Sequence, residues 1–166
     1  LNARARQFIA HSPLVLLSTA DGKGNPTVSP RGDVPGFVRV AEDGAILVPE
    51  RQGNKLVASL QNLLVNPRVG LLFLVPGTGE TLRVSGEAEL RDDAELCASL
   101  ASRGKDALLV MRIRPDSVYF HCAKALLRSE LWNPATWPAR IPVSFGEEIA
   151  EEGGLGAMSV DELDAG

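Results

Sequence analysis

Between residues 46 and 90 the chain changes its hydrophobic period twice, and that change limits the folds open to it more than any other feature. Ile46, Leu47 and Val48 form an apolar strand signal that runs into the polar turn Pro49-Glu50-Arg51-Gln52-Gly53-Asn54-Lys55. Leu56, Leu60, Leu63 and Leu64 then recur at helical spacing, with Ser59, Gln61 and Asn62 on the other side, and Asn54 is placed to cap that helix. Asn66-Pro67 predicts its end, because the residue before a proline is pushed out of the α region. The run Val69-Gly70-Leu71-Leu72-Phe73-Leu74-Val75 predicts a mostly buried strand. After the turn Pro76-Gly77-Thr78-Gly79, the alternating Leu82, Val84, Ala88 and Leu90 predict a strand with one wet face, and Gly86 inside it predicts a bulge or a close backbone approach.

The turn at residues 49–55 has two readings. Arg51 and Lys55 flank Gly53 where a strand gives way to the amino end of a helix, a place whose free amides and dipole favour an anion. The plainer reading is a solvated basic turn with a helix cap. A second polar cluster, Ser29-Pro30-Arg31-Gly32-Asp33, reads either as part of such a site or as a surface loop with an internal Arg31 to Asp33 ion pair.

Elsewhere, residues 2–10 predict a short helix carrying Phe8 and Ile9, and Leu14-Val15-Leu16-Leu17-Ser18-Thr19 predicts an apolar strand. The turn signal Asp21-Gly22-Lys23-Gly24-Asn25 makes Pro26-Thr27-Val28-Ser29 its hairpin partner, and residues 34–40 predict a further extended piece. A helix capped by Asp92 follows, with Cys97 as core filler; two strands, residues 107–114 and 117–121, then flank a turn at Pro115-Asp116. Residues 123–132 predict a short helix with Lys124, Arg128 and Trp132 on one side: two cations and an indole, suited to a flat anionic ligand or to plain packing with snorkelling cations. The stretch after Asn133 is proline-rich, then acidic and glycine-rich, and is expected to be mobile or to lie against a partner subunit.

Composition narrows the function classes. The 166 residues fit one domain, and 45% hydrophobic with 23% charged residues is a folded, globular composition. A net charge of −4 argues against nucleic acid as a partner, so any bound anion is expected to be small. No apolar run approaches the roughly 18 residues of a membrane-spanning helix. Cys97 and Cys122 lack Cys-x-x-Cys spacing, so neither a disulfide framework nor a metal site is expected, which suits a cytoplasmic setting. The chain starts at Leu1, which leaves a preceding segment open.

Taken together, strand, basic turn, helix, Asn66-Pro67-Arg68-Val69 and strand resemble the FMN-binding split barrel of the pyridoxamine 5'-phosphate oxidase superfamily. The likeness covers roughly residues 8–132, and Phe120-His121-Cys122-Ala123-Lys124-Ala125 with Arg128-Ser129 and Leu131-Trp132 resembles a subgroup of uncharacterised FMN-dependent members. The resemblance implies a mainly β fold with peripheral helices (α+β), a six-stranded split β-barrel over residues 1–143 with a separate tail at 144–166. It also implies a homodimer with FMN at the subunit interface. By position, Asn54 and Lys55 match phosphate contacts, Pro49 matches a residue along the flavin, and Arg31 with nearby Ser29 is the candidate second phosphate grip. Glu50 and Arg51 belong to the same turn, and Thr81 falls where the oxidases carry a longer glutamine near the ring. Lys124, Arg128 and Trp132 would come from the partner chain. The Arg-Leu pattern that holds the vitamin substrate of the true oxidases is missing from residues 133–166, so pyridoxamine phosphate is not the expected substrate. The expected function is an FMN-dependent oxidoreductase acting on another small molecule, with no side chain assigned as acid or base. The alternatives are a non-catalytic flavin or haem-type cofactor-binding module and a reductase using the deazaflavin F420.

Overall fold

The structure, a computed structural model, describes residues 1–51 and 58–144. Its centre is an antiparallel sheet of seven strands in the order β2-β1-β5-β6-β7-β4-β3, where β1 is Leu14–Ala20, β2 Pro26–Gly32, β3 Arg39–Val40, β4 Ile46–Glu50, β5 Arg68–Leu74, β6 Thr81–Arg91 and β7 Leu109–His121. Helices α1 (Ala3–His11), α2 (Ala58–Val65), α3 (Ala94–Ser99) and α4 (Lys124–Arg128) pack around it. The fold is thus mainly β with peripheral helices, but with seven strands where six were expected. The additional strand is the short β3, which pairs Arg39 with Leu47 and Val40 with Ile46. It is all that remains of the extended piece expected at 34–40, because Gly36 turns the chain through a positive φ of 86° just before it.

Strand alternation builds the core. Val15 and Leu17 of β1, Val69, Leu71 and Phe73 of β5, Leu82 and Val84 of β6, Ile46 and Val48 of β4, and Met111 and Ile113 of β7 all turn to one face and are buried there. Helix α1 adds Ala5 and Ile9 to this core, and its Phe8 meets Phe120 edge to face at 5.4 Å. A smaller cluster lies on the outer face of β4 and β7, where Cys97 and Leu100 from the α3 region pack with Ala107, Val110 and Leu47. Burial, with acidic neighbours adding to it, pushes the Cys97 thiol up, as suits a packing residue and not a nucleophile.

Gly86 behaves as its place in β6 predicts. The register slips between Ser85 and Gly86, and a Cβ on Gly86 would lie 2.3 Å from the carbonyl oxygen of Arg114. The slip also explains why the turn expected at Pro115-Asp116 is absent: Gly86 pairs with Pro115 and Ser85 with Ser117, so Asp116 is the extra residue of a bulge and β7 runs on unbroken.

Two helices differ from expectation. On α2, Ser59, Asn62 and Leu63 are the buried residues, while Leu64 is 76% exposed. The cause lies in the hairpin beneath, where the hydroxyls of Thr19 and Thr27 face the helix and the Asn62 amide donates to both, at 3.0 and 3.1 Å. Leu60 and Leu63 still meet the core as their spacing predicts, and the buried amide turns only Leu64 away from it. Helix α4 stops at Arg128, and Glu130 takes a left-handed φ of 49°, so Trp132 leaves the side shared by Lys124 and Arg128. Its indole nitrogen instead donates to the Thr78 carbonyl at 2.9 Å, which straps the segment after α4 onto the turn before β6. The expected cap at Asn54, and the tail beyond Ser144, lie outside the described residues.

Candidate functional site

Arg31 and Glu50 meet across the mouth of the curled sheet. In β4, Ile46 and Val48 point into the core, and the same alternation carries Glu50 inward at the end of the strand. In β2, Ser29 and Arg31 are the half-buried residues among exposed neighbours, with Arg31 opposite the buried Val15. One guanidinium nitrogen, Nη1, donates to both carboxylate oxygens of Glu50, and the two side chains are only 14% and 13% exposed. Strands β2 and β4 are not neighbours in the sheet, so this ion pair closes the barrel where no backbone ladder does. The Arg31 Nε, also buried, has no partner among the described residues.

Arg51 lies on the opposite side of β4. Leu47 of that strand packs on the outer cluster, Pro49 is buried opposite Val110, and Arg51 continues this side toward α3. Its Nε pairs with Asp33 at 3.2 Å and its Nη2 donates to the Leu100 carbonyl at 2.7 Å, leaving a buried Nη1 without a partner among the described residues. Asp33 accepts further bonds from the Ser102 hydroxyl at 3.0 Å and the Val34 amide at 2.8 Å. The Arg31 to Asp33 pair read from the sequence is therefore replaced by Arg31 with Glu50 and Asp33 with Arg51. Glu50 and Arg51, neighbours in sequence, leave β4 on opposite sides, and Asp33 lies just past the end of β2, so it turns to Arg51 while Arg31 keeps Glu50.

Burial works to raise the Asp33 carboxyl, yet the Val34 amide, the Ser102 hydroxyl and Arg51 together hold it below its ordinary value. A depressed folded-state value gives stability that is complete above the unfolded value of 3.8 and is lost as pH falls through the lower folded one. The stability gap between the wild type and Asp33→Asn is accordingly expected to be constant at neutral and mildly acidic pH and to narrow only in the acid range below about pH 4. Denaturant titrations at stepped pH check this; a gap already closing near neutrality would refute it.

The remaining candidates lie elsewhere on the chain. Thr81 starts β6 opposite His121, and the buried Leu82 beside it places Thr81 on the outer face of the sheet. Lys124 and Arg128 are exposed on α4, and Trp132 is engaged with Thr78. One chain thus brings Arg31 and Glu50 together with Ser29 on the same face and sets Pro49 and Arg51 behind them, while Thr81, Lys124, Arg128 and Trp132 make no hydrogen bond or ion pair with this group among the described residues. Asn54 and Lys55 lie outside the described residues. Sequence reasoning missed Ser102 and the role of Asp33. The available signal was the inward alternation of Ile46, Val48 and Glu50, which calls for a cation on that face. Among the described residues, no group of His, Cys, Asp and Glu could hold a metal ion and no helix is long and apolar enough to cross a membrane.

A family model described as pyridoxamine 5'-phosphate oxidase matches residues 1–122. No curated protein matches the chain. Among solved structures, HupZ of Group A Streptococcus superposes with a TM-score of 0.59 at 18% identity, covering 72% of this chain and 98% of that one. General Stress Protein 26 from Bacillus anthracis gives 0.51 at 21% identity, with 70% and 91% covered. An F420 reductase gives 0.51 at 15% identity, with 72% and 98% covered. At such identities these likenesses establish the fold alone.

Proposed function

The chain belongs to the pyridoxamine 5'-phosphate oxidase family, whose model matches residues 1–122, and from that premise we propose that it is an FMN-binding oxidoreductase acting on a small molecule as a homodimer. The observation that carries the reading is the Arg31 Nε, a buried donor with no partner among the described residues, on the same face as Ser29. A buried guanidinium nitrogen left unpaired is costly, and a phosphate oxygen is a fitting acceptor for it. Glu50 fixes the Arg31 fork from the other side, and the two charges cancel. The net cation that a phosphate requires would then come from Lys55, with Asn54 beside it, both read from the sequence and outside the described residues.

The dimer reading is supported by the outer face of the sheet. Leu14, Leu16, Leu72 and Leu74 remain half-buried there, and Val28 on the adjoining strand is 64% exposed. In such a dimer Lys124, Arg128 and Trp132 would be contributed by the partner chain. When bound, FMN would supply the electron chemistry; the protein supplies phosphate grip, orientation and a substrate slot.

An absorption spectrum of the freshly purified protein, with mass analysis of whatever heat releases, tests the reading. A flavin spectrum with the mass of FMN, reduced by a nicotinamide nucleotide and reoxidised, is the expected result. A bound flavin that resists reduction would turn the reading to a cofactor store, and a deazaflavin spectrum to an F420-dependent reductase. A colourless protein that fails to bind added FMN would remove the flavoprotein reading altogether.

A further inference from the structure

The backbones that carry Arg31 and Glu50 are both tied down. Glu50 is the last residue of β4, paired with Leu109, and its carbonyl accepts from the Leu108 amide at 3.0 Å. Arg31 pairs with Val15 inside β2, and just beyond it the Asp33 amide donates to the Pro13 carbonyl at 3.1 Å. Any change at this pair is therefore a change of side-chain torsion.

The clasp between the two side chains is one-sided. Both carboxylate oxygens of Glu50 accept from a single guanidinium nitrogen, Nη1. A fully matched pair is a fork, in which two nitrogens each meet one oxygen. Here Nε is buried without a partner, and Nη2 makes no hydrogen bond among the described residues. Glu50 thus balances the charge of Arg31 and leaves most of its donors unused.

We propose that Glu50 is a stand-in for an anionic ligand: its carboxylate neutralises Arg31 until an oxyanion displaces it from Nη1. A buried cation without a counter-charge is costly, so only a ligand that brings its own negative charge can replace the carboxylate. A tetrahedral oxyanion has several oxygens to set against Nη1, Nη2 and Nε, where the carboxylate on β4 meets one nitrogen. The Glu50 side chain is 13% exposed at the mouth of the sheet, which gives the released carboxylate a way to water. The inference rests on the flavin reading for the identity of the anion, a phosphate monoester, and makes Glu50 the residue that sets its affinity.

The test is a phosphorus NMR titration of the purified full chain, freed of any flavin by dialysis, with inorganic phosphate at constant ionic strength. A thermal melt of each variant confirms that it is folded. Glu50→Gln is expected to bind phosphate at least about tenfold more tightly than the wild type, because the competing charge is gone. Glu50→Asp keeps the charge on a shorter arm and is expected between the two; it serves where the glutamine variant does not fold. Arg31→Gln is expected to lose saturable binding. A purely structural clasp predicts a less stable Glu50→Gln protein with unchanged phosphate affinity, and that result would overturn the inference. Phosphate binding that survives Arg31→Gln, or saturable binding in no variant, would overturn it as well. Inorganic phosphate contains no flavin, so a gain in Glu50→Gln by a protein that takes up no FMN would count against the flavoprotein reading alone.

Discussion

Arg31→Met is expected to cost about 3 kcal/mol of stability and, on the proposed flavoprotein reading, to abolish flavin binding, and the two effects come apart in a second variant. The pair with Glu50 is mostly buried, so removing the cation leaves a carboxylate shut away from water with nothing to balance it. Replacing both partners, as Arg31→Met with Glu50→Leu, removes that stranded charge, and apolar substitutes for a buried pair are often as stable as the pair itself. The double variant should regain most of the lost stability in urea titrations. It should still bind FMN poorly in a fluorescence titration, because the phosphate donor has not returned. Lys55→Ala alone should weaken FMN by about 1.5 to 3 kcal/mol, roughly tenfold to a hundredfold. Full flavin occupancy in the double variant would mean that the phosphate is held elsewhere, while an unstable double variant would mean that the clasp between β2 and β4 needs its charges.

The second large effect belongs to Gly86. A methyl group there would sit 2.3 Å from the Arg114 carbonyl oxygen and 3.1 Å from the Pro115 Cα, and both obstacles are backbone. No rotamer change relieves such a contact; the bulge must open or β6 and β7 must separate. Gly86→Ala should therefore cost about 3 kcal/mol and lower the melting temperature by roughly 10 °C. Gly70→Ala is the control, since its Cβ would meet only the Ser18 Cβ, at an ordinary 3.6 Å. That variant should fall within about 1 kcal/mol of the wild type in the same melt. A Gly86→Ala protein that melts like Gly70→Ala would show that the bulge is not fixed by the glycine.

These residues also mark how far the sequence could be read. Period-two alternation at Leu82, Val84 and Ala88 located β6, and the misfit of a glycine in it located the bulge, because both are local properties of one strand. The partner of Arg31 was not local. Glu50 reaches it only because the sheet curls until β2 meets β4, and no spacing in the chain encodes that closure. The face of α2 was legible in part for a related reason: Leu60 and Leu63 meet the core as their spacing predicts, but Thr19 and Thr27, far away in sequence, draw Asn62 down and leave Leu64 exposed. Trp132 followed helical spacing as far as Arg128, where the left-handed turn at Glu130 carried it to Thr78 instead.

The outermost strand β2 contains Pro26 and Pro30, and neither can donate a backbone hydrogen bond. Both share the parity of Val28, and a proline is tolerated in a border strand where its nitrogen looks away from the sheet. The free border of β2 therefore offers a broken row of donors to any approaching strand. Ladder extension, the ordinary route by which open sheets recruit other chains into aggregates, is blocked there by composition. At this border an approaching copy would meet side chains and not an open ladder.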